Sequence, residues 1–126
     1  MIEYKVLVYE DGDKYWYLNG KRHREDGPAI ECANGTKHWF LNDKRHREDG
    51  PAIELASGHK EWYLNGELHR EDGPAIEWAS GDKHWYLNGK EMSEQEFIAQ
   101  TQTIKEMTLA EVIEKLGYEI KIVKES

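Results

Sequence analysis

The sequence predicts a mainly β fold: a single elongated antiparallel β-meander of four 23-residue hairpin repeats, closed by a C-terminal helix–helix–strand cap. Three observations predict it. The tract His-Arg-Glu-Asp-Gly-Pro-Ala-Ile-Glu occurs three times unchanged, beginning at His23, His46 and His69. Trp16, Trp39, Trp62 and Trp85 keep the same step, each followed by an aromatic residue and a Leu-Asn pair. Every unit also carries two chain-reversal signals rich in Asn, Asp and Gly, the strongest hairpin marks a sequence offers. A fixed period of this length is the signature of stacked units, none of which buries its apolar face alone. The repeat array is assigned to residues 1–91 and the cap to residues 92–126.

The first strand is predicted over Tyr4 to Tyr9, closed by Asp11-Gly12. It aligns one period earlier with Pro28 to Ala33, closed by Asn34-Gly35; the later copies close at Ser57-Gly58 and Ser80-Gly81. An aromatic strand follows each turn: Lys14 to Leu18, Lys37 to Leu41, Lys60 to Leu64 and Lys83 to Leu87. These strands end in Asn19-Gly20, Asn42-Asp43, Asn65-Gly66 and Asn88-Gly89. Eight strands about 4.8 Å apart give a sheet roughly 35–40 Å long. A two-residue turn at Asn34-Gly35 sets Ile30 across from Trp39 and Ala29 across from Phe40. One face then carries Ile30, Trp39 and Leu41 with their equivalents, and this is the expected core. The other carries Ala29, Glu31 and the aromatics Tyr17, Phe40, Tyr63 and Tyr86, expected to be half exposed.

Between hairpins, Lys21 to Pro28 reads as an extended piece followed by a turn. Gly27 is expected to supply a positive φ, Asp26 to bond turn donors, and Pro28 to open the next strand, where a missing N–H does least harm. Where a fourth connector is due, the chain reads Met92-Ser93-Glu94-Gln95-Glu96. Ser93 with Glu96 forms a capping box, and Phe97, Thr101 and Ile104 follow at helical spacing. Thr108 with Glu111 opens a second helix, with Leu109, Val112, Ile113 and Leu116 on one stripe and Gly117 as its C-cap. Tyr118 to Lys124 alternates as a last strand. Helices here are placed to cover the final repeat.

Composition narrows the function. The chain has 126 residues, enough for one domain, and a net charge of -8. An acidic balance argues against sequence-independent binding to duplex nucleic acid. The single cysteine, Cys32, rules out an internal disulfide framework and fits a reducing compartment. Met1 to Glu10 holds neither a basic leader nor a long apolar run, so the expectation is a cytoplasmic protein without membrane contact.

The unit Gly-x-Lys-x-Trp-Tyr-x-Asn-Gly-Lys resembles the short variant of the MORN-type repeat, in which a Gly, an aromatic pair and an Asn-Gly turn mark one hairpin. The resemblance covers roughly Tyr4 to Lys90 and departs from that pattern in the His-Arg-Glu-Asp-Gly-Pro connector. Arrays with this connector are similar to small uncharacterised repeat proteins of bacteria and phages. The resemblance implies an extended β-sheet used as an interaction surface and implies no chemistry. If the chain is phage-encoded, it implies action in the host cytoplasm, with a host protein of a defence system as the partner that is inhibited.

The residues themselves give no catalytic set. His-Arg-Glu-Asp looks like the kinase His-Arg-Asp loop, but the Asp is displaced by one and no glycine-rich phosphate loop or Asp-Phe-Gly accompanies it. Cys32 is replaced by Leu55 and Trp78 in later copies, which marks a packing position. Equivalent histidines lie two strands apart, about 9.6 Å, too far to share one zinc ion. No metal site or cofactor is expected. His38, His59 and His84 are expected in solvent. Two binding readings remain. A protein partner reads His23, Arg24, His46, Arg47, His69 and Arg70 together with Tyr17, Phe40, Tyr63 and Tyr86, since Tyr and Arg are favoured at hot spots. The alternative is a small anionic ligand such as a nucleotide, held by Arg groups of successive repeats. The carboxylates that follow each Arg favour the first. The chain itself is expected to be a monomer, or a homo-oligomer through a sheet edge or the C-terminal strand. A purely structural role for the connectors is open too.

Overall fold

A computed structural model describes residues 3–102. The fold is mainly β, with 14 short strands, most of them in one antiparallel meander, and one helix among the described residues. The N-terminal edge is β1 (Lys5–Val8), paired with β2 (Lys14–Leu18) so that Val6 meets Trp16. Then come β3 (Lys21–Arg22), β4 (Ile30–Glu31), β5 (Lys37–His38), β6 (Phe40–Leu41) and β7 (Lys44–Arg45). The pattern recurs as β8 (Ile53–Glu54), β9 (Lys60–Glu61), β10 (Tyr63–Leu64), β11 (Glu67–Leu68) and β12 (Ile76–Glu77). It ends in β13 (Lys83–Leu87) and β14 (Lys90–Met92).

The sheet is laid down in two ranks, and the aromatic segment crosses both. Its first half pairs backward and forward, β5 lying between β4 and β8, and β9 between β8 and β12. Its second half pairs with the connector that follows, β6 with β7 and β10 with β11. The connector is therefore a strand in its own right. It reaches the next unit through Arg24 N–H to Phe40 O (3.1 Å), Asp43 N–H to Arg22 O (2.9 Å) and Gly66 N–H to Arg45 O (2.8 Å). The tryptophan sits where the ranks divide. Trp16, Trp39 and Trp62 donate their N–H to Ala29, Ala52 and Ala75 at 2.7, 2.8 and 2.8 Å, and those alanines are fully buried.

The two kinds of turn differ, and one corrects the sequence reading. Asn19-Gly20 is a two-residue turn joining Leu18 to Lys21, with φ of 52° and 77°. These left-handed values are those of a type I′ turn, which Asn and Gly accept most readily. Asn34-Gly35 is not a two-residue turn. Cys32 N–H bonds Thr36 O and Gly35 N–H bonds Cys32 O, so the loop has three residues and ends on Gly35 at φ 96°. That extra residue shifts the register by one and exchanges the faces. Ile30 pairs with His38 rather than Trp39. Consequently Ile30 shares a face with Phe40, and the expected Ile-Trp-Leu core is overturned. Phe40, expected to be half exposed, is 2% exposed and packs with Ala29 and Ile30. Trp39 and Leu41 lie on the opposite face and are half-buried.

After β14 the helix α1 (94–102) begins. Ser93 Oγ accepts the Glu96 N–H at 3.1 Å, the N-cap bond the sequence called for. Met92 and Phe97 are buried beside the last strands. The expected second helix at Thr108 and the last strand, Tyr118 to Lys124, lie outside the described residues. Among the described residues no helix is long and apolar enough to cross a membrane.

Candidate functional site

The invariant arginines fold back onto their own unit. In each connector the residue pattern Arg-Glu-Asp-Gly-Pro turns the chain so that the guanidinium lies over the preceding tryptophan. Arg24, Arg47 and Arg70 sit 3.9, 3.9 and 3.8 Å from the ring centres of Trp16, Trp39 and Trp62. For Arg47, Nε donates to Asp49 Oδ1 (3.0 Å), and Nη1 donates to Pro51 O (3.0 Å) and Glu54 Oε1 (3.1 Å). Arg24 and Arg70 repeat the set with Asp26, Pro28 and Glu31, and with Asp72, Pro74 and Glu77. The connector glycine serves this packing. Gly27, Gly50 and Gly73 do not take a positive φ, contrary to the expectation from sequence; a Cβ on Gly50 would stand 2.9 Å from Arg47 Cζ. Glycine is needed for close approach, not for turn geometry.

The invariant histidines link one unit to the next. His23, His46 and His69 accept the main-chain N–H of Asn42, Asn65 and Asn88 at Nδ1, all at 2.9 Å. Those asparagines are in the left-handed region, so their N–H groups point out of the ladder and need a side-chain acceptor. With Nδ1 an acceptor, the ring proton sits on Nε2, facing Glu25, Glu48 and Glu71 at 3.4 to 3.5 Å. Among the described residues no group of three or more His, Cys, Asp or Glu could hold a metal ion.

Successive connectors enclose two equivalent clefts on this tryptophan face. One, of about 610 Å³, lies between the Arg47 and Arg70 connectors over Trp62 and Leu64. The other, of about 690 Å³, lies one step earlier over Trp39 and Leu41. Their rims are carboxylates: the side chains of Glu48, Asp49, Glu71 and Asp72 are more than 70% exposed. The guanidinium groups beneath are already bonded. This arrangement repels an anion rather than collecting one.

The opposite face is where the copies differ. At the 23-residue step several positions are substituted, and four of them bear on this face. One holds Tyr15, His38, Glu61 and His84; another holds Arg22, Arg45, Leu68 and Glu91. The third holds Cys32, Leu55 and Trp78, and the fourth Thr36, His59 and Asp82. Strand alternation and the register put the first two positions on the Ile30–Phe40 face. Contacts place members of the others there as well: Cys32 and Tyr15 both pack against the Ile30–Phe40 cluster, and His59 bonds Glu61 at 2.6 Å with its ring tilted against Trp78 at 3.9 Å. His59 is buried, not solvated as expected from the sequence, because Trp78 covers its ring. His38 is half-buried, and its pKa is lowered by burial, with Arg45 and Arg22 adding to the shift.

Arginine and aromatic side chains alternate along this face. Arg22 lies 4.1 Å above the Phe40 ring, and Arg45 lies 5.2 Å from Phe40 and 5.8 Å from Tyr63. These two arginines cover Phe40 and explain its burial. Neither was singled out from sequence, although both stand where the repeat varies. Tyr17 is half-buried at the start of the row. Tyr63 donates its hydroxyl to Glu61 Oε1 at 2.6 Å, and burial followed by this bond pushes its pKa well up. Tyr86 donates to Glu91 Oε2 at 2.7 Å, a bond that raises its pKa in the same way. Cys32 is held as a thiol by burial, with Asp13 and Asp11 adding their charge. A nucleophilic cysteine needs the reverse environment.

The structure therefore separates the residues expected to bind. His23, Arg24, His46, Arg47, His69 and Arg70 hold the tryptophan face together, whereas Tyr17, Phe40, Tyr63 and Tyr86 belong to the other face. No protein-family model matches the chain, and no curated protein or solved structure does.

Proposed function

We propose that this chain is a non-catalytic protein-interaction module: four 23-residue hairpin units arrayed edge to edge, closed by the C-terminal cap, with a protein partner docking on the Phe40–Tyr63 face. One observation carries the reading. The positions of Tyr15, His38, Glu61 and His84 and of Arg22, Arg45, Leu68 and Glu91 vary on that face, while the Trp, His and Arg side chains that hold the opposite face together are the same in all three copies. A repeat scaffold that keeps its joints and varies one surface is built to present that surface. Its arginine and tyrosine content suits a hot spot. The likeness to phage repeat arrays makes a host defence protein, inhibited by occlusion, the partner class to test first. A nucleotide between repeats is disfavoured by the carboxylate rims of both clefts.

The test is affinity capture from bacterial lysate, identification by mass spectrometry, and titration of the purified partner. Binding is expected to weaken when Tyr63 is changed to Ala and to persist when Glu48, exposed on the opposite face, is changed to Ala. Loss in the second variant alone, or a thermal shift with nucleotides and no retained protein, overturns the reading.

A further inference from the structure

Arg22 and Arg45 occupy the same position in successive units, yet only one has an acid. Asp43 Oδ1 accepts both the main-chain N–H of Arg22 (2.7 Å) and its Nε (3.1 Å). The residue equivalent to Asp43 for Arg45 is Gly66, whose N–H bonds Arg45 O just as Asp43 N–H bonds Arg22 O. The main chain is thus in the same place and the carboxylate is missing. Arg45 is the one arginine of the chain that forms no ion pair among the described residues. Its Nε is buried and has no acceptor. A buried donor without a partner is costly, and a charged one more so. The rings of Phe40 and Tyr63 flank it, 5.2 and 5.8 Å away. In a protein of net charge -8 this is a local positive site with a defined shape.

We infer that Arg45 is the anchor of the docking face and that it takes an aspartate side chain from an extended segment of the partner protein, which occupies beside Gly66 the place Asp43 occupies beside Arg22. The inference rests on the interaction-module reading and adds the chemistry of the partner. The intramolecular Arg22–Asp43 pair is the template: one carboxylate oxygen receives Nε and the main-chain N–H, so the arrangement selects a short acidic side chain brought in close to the backbone, and the enclosed Arg45 side chain shifts outward as that carboxylate enters. Residues of the segment on either side of the aspartate lie against Tyr63 and the arginine side chains that cover Phe40. The same template shows how the site can be filled from within. Asp43 holds φ at 65° and Gly66 at 84°, so an aspartate at position 66 adopts a backbone this fold already tolerates. Its Cβ meets nothing closer than the Lys44 side chain at 3.7 Å.

The experiment selects a random dodecapeptide display library against the whole chain, then measures the enriched peptides on Arg45→Met and Gly66→Asp, with circular dichroism as folding control. Enriched peptides are expected to share an Asp beside apolar or aromatic residues. Both variants are expected to weaken them on the order of 30-fold or more, the usual effect of removing one member of a desolvated charge pair. Gly66→Asp keeps Arg45 in place, so loss in that variant reports competition for the guanidinium rather than unfolding. Enriched peptides that bind both variants at parental strength overturn the Arg45 anchor and leave the interaction-module reading standing. Enrichment of basic peptides, or none at all, also overturns the anchor; the lysate titration then decides the broader reading. A dimer by sedimentation that Gly66→Asp dissociates makes a second copy of this chain the occupant, which likewise overturns it.

Discussion

Replacing Gly50 with Ala is expected to destabilise the protein through Arg47 alone. A Cβ at position 50 would stand 2.9 Å from Arg47 Cζ and 3.1 Å from Nε, so the guanidinium must leave. Leaving forfeits its stacking on Trp39, about 1 kcal/mol. It also forfeits the bond to the Pro51 carbonyl, about 1.5 kcal/mol for a charged donor, and the half-exposed Glu54 pair, under about 1 kcal/mol. Asp49 is 87% exposed and adds little. Freed rotamers of the long side chain return about 1 kcal/mol. The net cost is about 2 kcal/mol. Because φ at Gly50 is not positive, Ala is otherwise welcome and lowers unfolded-state entropy, a gain of about 0.4–1 kcal/mol. In an Arg47→Ala background, then, the same substitution changes from destabilising to neutral or stabilising. Urea unfolding of the parent, both single variants and the double variant closes the cycle, with an expected coupling of about 2 kcal/mol. Equal destabilisation by Gly50→Ala in both backgrounds refutes the reasoning and puts the cost in the backbone.

Two further outcomes follow from the face opposite. His38 has a lowered pKa, so below its ordinary value of 6.5 the unfolded chain takes up a proton that the folded chain resists, and stability falls as pH falls from about 6.5 until the folded group also titrates. Against His38→Gln, the parent is expected to lose melting temperature between pH 7 and pH 5 and to match it at pH 8; parallel curves contradict this. Asp43 stands at φ 65°, where the other copies have Gly, and the Arg22 main-chain N–H draws its carboxyl below the usual range. Asp43→Ala, which keeps the strained backbone and loses the acceptor, is expected to melt below Asp43→Gly; the opposite order would mean that the backbone here is unstrained.

The mainly β architecture was readable in the spacing, because hairpin marks and period-two strands are local signals. The reversals at Asn19-Gly20, Asn65-Gly66 and Asn88-Gly89 and the Ser93 cap were legible for the same reason. Register was not. Asn34-Gly35 suits a two-residue turn and the end of a three-residue loop equally well, and the choice decides which side of the sheet Ile30 faces. A single misplaced residue therefore exchanged core and surface along the array. The connectors misled differently. Their repetition and charge looked like recognition, yet Arg24 and His23 are each consumed by partners, seven and nineteen residues away respectively, that only folding brings near. The informative signal for the candidate site was the reverse one, the position where Arg22 and Arg45 give way to Leu68 and Glu91.

The handing-on of bonds from unit to unit also has a mechanical consequence. β1 and β14 hold opposite edges of the strand order, and the bonds that join Trp39 to Ala52 or His46 to Asn65 run across the strands between them. Tension applied between those edges meets the bonds end-on and a rank at a time, so the array peels like a zip instead of resisting in shear. One 23-residue period of the sequence corresponds to about 80 Å of extended chain. Stretched between those edges in a single-molecule instrument, the protein is expected to lengthen at low force, from an edge inward.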